Sequence, residues 1–310
     1  MSRVLLLGAS GFIGRHIHQA LHGDPRVETV VCLGRHNRPA GSDPWVQHDL
    51  AAGSPQDLAS IIREVRPDVV INAVGSLAGS LLHLVEANVL AVAKLLEAVA
   101  QAAPKARLVK LGSAGEYGAG EPGLAVNEAS PARPVSVYGI TRLASAQLVA
   151  LAKTEGRLDG VVLRVFNPIG AGLPAENLLG RAAAQMRSAQ AEDRGYIEMG
   201  PLGAYRDFVD VRDVARAVVS AALTPQPLAP ILNVGSGHAV CNREAVGLLG
   251  AVAGFRGEIR ESNPAPARSA GVHWIQADIT LIGQELGWKP VYSLRDSAEY
   301  LWNATAPVGV

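Results

Sequence analysis

The first residues able to do chemistry form the turn Gly8-Ala9-Ser10-Gly11-Phe12-Ile13-Gly14, a G-x-x-G-x-x-G pattern. Gly8 and Gly11 let the backbone turn tightly and approach a pyrophosphate, Gly14 lets a helix close onto a strand, and the helix N-terminus supplies partly positive amides. The turn lies between a Leu-rich run and an amphipathic stretch, so it predicts a dinucleotide site. An NAD-selective site carries an acid about 20 residues further on, where it holds the ribose 2′-hydroxyl. Here that region reads Leu33-Gly34-Arg35-His36-Asn37-Arg38, with no carboxylate. Gly34 gives room, and the Arg35 guanidinium, helped by Arg38, offers a planar fork for a 2′-phosphate, which predicts NADP(H). The competing reading is a solvated basic loop. Asp49 is placed either to accept from an adenine amino group or to cap a helix. Tyr138 and Arg142 are four residues apart, about 40° around a helix, so they point the same way.

These residues need a scaffold, and the apolar pattern supplies one. Residues 4–7, 29–33, 69–73, 108–111 and 161–166 are β-branched or Leu-rich runs that read as buried strands. Between them, residues 12–22, 58–65, 81–102 and 137–154 carry apolar side chains at helical spacing. The pattern is βαβαβ, which predicts a doubly wound parallel α/β sheet of the Rossmann kind. After Asn167, the cluster Pro168, Gly170, Gly172 and Pro174 opens a different texture of short strands and helices. The expected division is a dinucleotide-binding domain over 1–170 and a smaller mixed α/β substrate-binding lobe over 171–310, with segments crossing back to the sheet.

Composition narrows the classes. With 28 basic and 28 acidic residues the formal net charge is +0, which argues against a nucleic-acid binder driven by bulk charge. Two cysteines, Cys32 and Cys241, are too few for a disulfide framework and fit a reducing compartment. No apolar run reaches membrane-spanning length, so no membrane partner and a cytoplasmic location are expected. No His/Cys/Asp/Glu set shows metal-ligand spacing along the chain, so no metal is expected.

Several segments together carry a resemblance: the glycine turn, Asn72-Ala73, Lys110-Leu111-Gly112-Ser113-Ala114-Gly115-Glu116-Tyr117-Gly118, Tyr138, Leu163 to Pro168, Arg206-Asp207-Phe208-Val209-Asp210, Asn233-Val234-Gly235-Ser236-Gly237 and Leu286-Gly287-Trp288-Lys289-Pro290. The chain resembles the extended short-chain dehydrogenase/reductases over nearly its whole length, and its nucleotide-sugar branch most closely, in particular the GDP-4-keto-6-deoxy-mannose reductases. The resemblance implies that Tyr138 exchanges a proton with the reacting oxygen, that Ser113 hydrogen-bonds the same oxygen, and that hydride passes to or from nicotinamide. It places the cofactor on Gly8, Ser10, Gly11, Phe12, Ile13, Gly14, Arg35, Asp49, Leu50, Ala73, Tyr138 and Arg142. It places the substrate on Asn167, Arg206 and Arg268, with the two arginines gripping a diphosphate. For Arg206 the plainer reading is an ion pair with its neighbour Asp207. The sequence departs from the family's Y-x-x-x-K at Arg142, where a flat, permanently charged guanidinium replaces a compact ammonium.

The branch contains several reactions, and residue types separate them. A 4,6-dehydratase needs acid–base groups directly after the serine, where this chain has Ala114 and Gly115. The branch's 3,5-epimerase/reductases use a cysteine in that segment, and none lies between Cys32 and Cys241. Ketone reduction by exchangeable NADPH remains, first on a nucleotide-linked 4-keto-6-deoxy sugar. The alternatives are a natural-product ketoreductase, a sugar-nucleotide epimerase and a non-catalytic NADP(H)-binding regulator. The long apolar helices at 81–102 and 137–154 predict a homodimer.

Overall fold

Strands covered by helices on both faces must be apolar throughout, and the first strand shows this, with Val4, Leu5, Leu6 and Leu7 all fully buried. The computed structural model describes residues 1–36, 43–264 and 271–304. In chain order the first half runs β1 (Ser2–Leu7), α1 (Phe12–His22), β2 (Val27–Gly34), β3 (Trp45–Gln47), α2 (Pro55–Val65), β4 (Val69–Asn72), α3 (Leu81–Val85), α4 (Ala91–Ala102), β5 (Arg107–Ser113), α5 (Val137–Thr154) and β6 (Asp159–Val165). The second half runs β7 (Asn167–Ile169), α6 (Leu178–Ala191), β8 (Tyr196–Met199), β9 (Tyr205–Asp210), α7 (Val211–Leu223), β10 (Ile231–Val234), β11 (Ala239–Cys241), α8 (Asn242–Ala253), β12 (Glu258–Glu261), β13 (Trp274–Ile275), α9 (Thr280–Leu286) and α10 (Leu294–Asn303).

Seven strands form one sheet in the order β10-β6-β5-β4-β1-β2-β3, and every neighbouring pair is parallel. This is the expected doubly wound Rossmann sheet, with β10 returning from the second half of the chain to its edge. One apolar layer joins a sheet face to α1 and α7 through Ile17, Leu21, Val214 and Val218. The opposite layer joins the other face to α2, α4 and α5 through Leu58, Ile62, Leu95 and Val149. A third core, built from α6, α8 and α10 around Met186, Leu249 and Leu301, forms the smaller lobe.

The helix read over 81–102 is not uniformly α. A π turn at Glu86–Leu90 separates α3 from α4. It sets Asn88, which is buried, against the segment after β4. There the Asn88 side chain accepts from the Ser76 amide at 2.8 Å, and donates to the Ser76 carbonyl at 2.9 Å and to Thr141 Oγ1 at 3.1 Å. Such a turn inserts one extra residue and re-aims the side chain.

Candidate active site

In an open parallel sheet the crevice forms at the carboxyl ends of the strands where the winding direction reverses, here between β1 and β4. The glycine turn stands at that point. Gly8 has φ +84°, and a Cβ on Gly14 would lie 1.9 Å from the Gly8 carbonyl oxygen, so neither position takes a side chain without moving the turn. Gly11 is the N-cap of α1 and offers no side chain to its first amides. An anion at this helix end would therefore meet amides that no side chain caps.

A cleft of about 680 Å³ opens from this turn toward the small lobe. Of the residues expected at the cofactor, Gly11, Phe12, Ile13, Ala73, Tyr138 and Arg142 line it, as does Ser113. The expected substrate residues Asn167 and Arg206 line it as well. Gly8, Ser10, Gly14, Arg35, Asp49 and Leu50 are not part of its wall. Arg268 and Arg38 lie outside the described residues.

Ser113 ends β5 and begins a short 3-10 turn. Its Oγ accepts from the Gly115 amide at 3.1 Å, and its own amide donates to Glu116 Oε1 at 2.9 Å. Glu116 is fully buried and pairs with Arg164 at 2.7 Å. Tyr138 enters from the first turn of α5, whose N-cap Ser136 accepts from the Gly139 amide at 3.2 Å. The point where a side chain at Gly115 would begin lies 3.4 Å from both Ser113 Oγ and Tyr138 Cε1. The serine and tyrosine thus flank one small space, and an acid–base group at residue 115 would crowd both.

Arg142 lies one helical turn beyond Tyr138 and is 6% exposed. Its Nη2 donates to the Leu111 carbonyl and, at 3.4 Å, to the Gly112 carbonyl. Its Nε is buried with no hydrogen-bond partner among the described residues. Its Nη1 occupies the space over Gly75, where an added Cβ would approach it to 2.4 Å. Beneath it, Lys110 is buried, with Nζ 3.4 Å from the Arg142 carbonyl. Burial first, and then the Arg142 guanidinium, pull Lys110 down to about 7 against the opposing Glu116 carboxylate.

The substrate-side residues also differ from the simplest reading. Arg206 does not pair with Asp207. Its guanidinium donates to the Tyr205 carbonyl at 2.8 Å and the Val272 carbonyl at 2.7 Å. Burial lowers it to about 10, so it stays cationic at neutral pH. Asp207 instead accepts from the amides of Ser236, Gly237 and Ala277 and from Ser236 Oγ. That carboxylate ties β9 to the segment after β10, because adjacent strand residues point to opposite faces. Asn167 donates to the Asp207 carbonyl at 2.9 Å.

Around the second strand, the room at Gly34 is taken by the Trp45 indole, which a Cβ there would meet at 2.5 Å. Asp49 accepts from the Ala51 and Ala52 amides at 2.8 and 3.2 Å, the turn-capping geometry. Burial pushes its carboxyl up, but those two amides together with the nearby Arg35 and His48 charges outweigh it, so it titrates below the ordinary range. Tyr117 is buried and donates to Asn233 Oδ1 at 2.7 Å.

Arg181 on α6, Gly75 and the buried Lys110 were not singled out by sequence reasoning; Arg181 and Gly75 line the cleft. An arginine on a helix gives no signal until the small lobe turns it inward. Sequence spacing shows no metal-ligand His/Cys/Asp/Glu set, but three such residues far apart along the chain come together in the fold. The donor atoms of His18, Cys32 and Asp43 lie within 4.8 Å of one another. Their separation along the chain hid them, and strand pairing brings them together.

A dinucleotide turn at the switch point, with a serine and a tyrosine flanking one space in the cleft, defines the class of Rossmann short-chain oxidoreductases. The chain belongs to the NAD dependent epimerase/dehydratase family, whose model matches residues 4–235. It is similar to a dTDP-6-deoxy-L-talose 4-dehydrogenase (NAD(P)(+)) of Kitasatospora kifunensis, 39% identical over 99% of this chain and 97% of that one. A GDP-6-deoxy-D-mannose reductase of Pseudomonas aeruginosa is 27% identical over 95% of this chain and 94% of its own. Among solved structures, MoeE5 in complex with UDP-glucose and NAD superposes with a TM-score of 0.83 at 27% identity, covering 97% of each chain. Membership makes the chain an enzyme of the NAD dependent epimerase/dehydratase family, and the two curated relatives are named for nucleotide-linked 6-deoxy sugars. No helix among the described residues is long and apolar enough to cross a membrane.

Proposed function

We propose that this protein is an NADP(H)-dependent ketoreductase that interconverts a ketone and an alcohol on a nucleotide-linked sugar, first a 4-keto-6-deoxy sugar. The observation that carries this reading is the convergence of Ser113 Oγ and the Tyr138 ring, each 3.4 Å from one point in the cleft. The names of the two relatives support it, since one is a 4-dehydrogenase and the other a reductase, each of a nucleotide-linked 6-deoxy sugar.

The residues present fit a dinucleotide. The first amides of α1 lack a side-chain cap, and the buried Arg142 Nε is a donor in want of an acceptor, which a ribose hydroxyl supplies. The bound nicotinamide contributes the hydride. The remaining work falls to the chain. Tyr138 delivers the proton to the carbonyl oxygen, Ser113 donates a hydrogen bond to that oxygen, and Arg142 holds the nicotinamide ribose. The Arg206 guanidinium keeps donors beyond the two bonds it makes to backbone and, with Arg268, holds the diphosphate. Arg35 selects NADP(H) through the 2′-phosphate. We place the enzyme in the cytoplasm as a homodimer that meets through α3, α4 and α5, where Leu81, Leu82 and Ile140 are exposed.

The test is turnover of a dTDP-linked 4-keto-6-deoxy hexose with NADPH, followed by loss of reduced nicotinamide. Tyr138→Phe should lose about 10²- to 10⁴-fold in kcat with NADPH affinity within a few-fold of wild type. Full activity of Tyr138→Phe overturns the assignment.

A further inference from the structure

Away from the cleft, the second half of α1 faces β2 and the chain entering β3. His18 and His22 are one helical turn apart on the same face. His18 Nε2 lies 2.6 Å and His22 Nε2 2.5 Å from the same oxygen, Asp43 Oδ2. Cys32 sits on β2 with its side chain in the apolar layer beneath α1, and its amide donates to the Pro44 carbonyl at 2.8 Å, fixing the residue next to Asp43. The thiol, the His18 imidazole and the Asp43 carboxylate place their donor atoms within 4.8 Å of one another.

We propose that His18 and His22 through Nε2, Asp43 through its carboxylate and Cys32 through Sγ form a tetrahedral site for a divalent transition cation of the zinc type. Two imidazoles, one carboxylate and one thiolate are the donor set of a borderline-soft metal, and the set excludes the all-oxygen cations calcium and magnesium. Bond lengths of about 2.0–2.3 Å put tetrahedral donors roughly 3.3–3.8 Å apart, so His18, Cys32 and Asp43 close on a cation by shifts of about an ångström, and His22, which lies outside that triad but 2.5 Å from the Asp43 carboxylate, joins them by turning its half-exposed ring. One carboxylate and one thiolate cancel the charge of the cation, which suits a site half sunk in an apolar layer. Without a cation, burial and the Asp43 carboxylate push the Cys32 thiol up to about 12, and it remains an inert buried group.

In the fold, such a cation staples three separate segments: α1, β2 and the connection between β2 and β3. Arg35, proposed above to read the 2′-phosphate, stands on that same connection. The site itself stands apart from the reaction and does not depend on the function proposed above.

The experiment uses the full chain, freed of any affinity tag and stripped with a chelator, then titrated with Co²⁺ alone. One equivalent should bind at micromolar concentration or tighter, with the intense visible bands of tetrahedral cobalt and a thiolate charge-transfer band, and Zn²⁺ should displace it. His22 is half exposed, so His22→Gln leaves the fold intact and should weaken Co²⁺ binding about tenfold or more. Cys32→Ala should abolish the charge-transfer band. Absence of binding, or binding that both substitutions leave unchanged, overturns the proposal and leaves Asp43 as a hydrogen-bond acceptor for two imidazoles.

Discussion

Replacing Lys110 by methionine tests the electrostatics under the active site. Lys110 is 1% exposed, its ammonium makes one hydrogen bond among the described residues, to the Arg142 carbonyl at 3.4 Å, and that carbonyl also accepts from Ser145 Oγ at 2.9 Å. Methionine has nearly the same length and leaves no acceptor stranded. In the unfolded chain the ammonium holds its proton to about 10.5, whereas in the fold burial and Arg142 pull it down to about 7. Between those values the unfolded state binds more protons, so this group makes stability rise with pH over that window, and its full penalty is present below pH 7. A displacement of roughly 3.5 units, at about 1.4 kcal/mol each, bounds the penalty near 5 kcal/mol. Between pH 7 and pH 9 the same two values give a relief of about 2 kcal/mol. Lys110→Met should therefore be more stable than wild type at pH 7, and its advantage should shrink by about 2 kcal/mol at pH 9. Urea unfolding of both proteins at both pH values reads this directly, because every other titrating group is shared. Parallel pH dependence, or a methionine variant less stable at pH 7, refutes the reasoning and shows a lysine that stays charged and paired in the fold.

Three further outcomes follow from the same geometry. Gly75→Ala puts a Cβ 2.4 Å from Arg142 Nη1, so the guanidinium must shift; we expect a loss of about 1–3 kcal/mol in stability and weaker NADPH binding by calorimetry, with Arg142→Lys relieving part of the binding defect. Arg35→Ala should cut NADPH affinity by about tenfold or more and leave NADH affinity within twofold, read by fluorescence titration; equal losses for both cofactors contradict the 2′-phosphate role. If the proposed dimer forms through these helices, Ile140→Glu together with Leu81→Glu, both at exposed helical positions, should give a monomer near 32.3 kDa by light scattering where the wild type is expected to run at twice that mass.

The sheet was legible because local rules govern it. Buried parallel strands are short apolar runs, and the helices between them announce themselves by period and by their ends: the bounds read for residues 12–22 and 137–154 coincide with α1 and α5. Of the nine predicted residues that line the cleft, seven sit at strand ends and helix starts that converge in any doubly wound sheet, whereas Asn167 and Arg206 stand on β7 and β9 of the smaller sheet and were expected only through the family resemblance. The rest depends on contacts that no local rule specifies. The π turn at Glu86–Leu90 exists with Asn88 bonded to Ser76 and Thr141, two segments away on either side. Asp207 could only be read as a partner for its neighbour Arg206 until β9 was seen to turn the two side chains apart. Cys32 and Asp43 meet His18 only through the pairing of β2 with β3 and the packing of α1 above them.

The departure at Arg142 shows how one substitution is absorbed by its surroundings. A guanidinium is larger than an ammonium and cannot shed its charge, so burying it requires space, acceptors and relief from other cations. Space comes from Gly75, which has no side chain where Nη1 lies. Acceptors come from the Leu111 and Gly112 carbonyls at the end of β5, the strand that also delivers Ser113. Relief comes from Lys110, which gives up its proton near neutrality, so that two buried cations do not stand together. One donor, Nε, has no partner among the described residues, and it is buried in the residue that lines the cleft one turn beyond Tyr138. An arginine retained only for packing has no reason to bury an unpaired donor at a cost of about 1–3 kcal/mol, whereas one waiting for a ribose hydroxyl does. That argument supports the proposed function, in which the guanidinium at residue 142 holds the nicotinamide ribose where the family has a lysine.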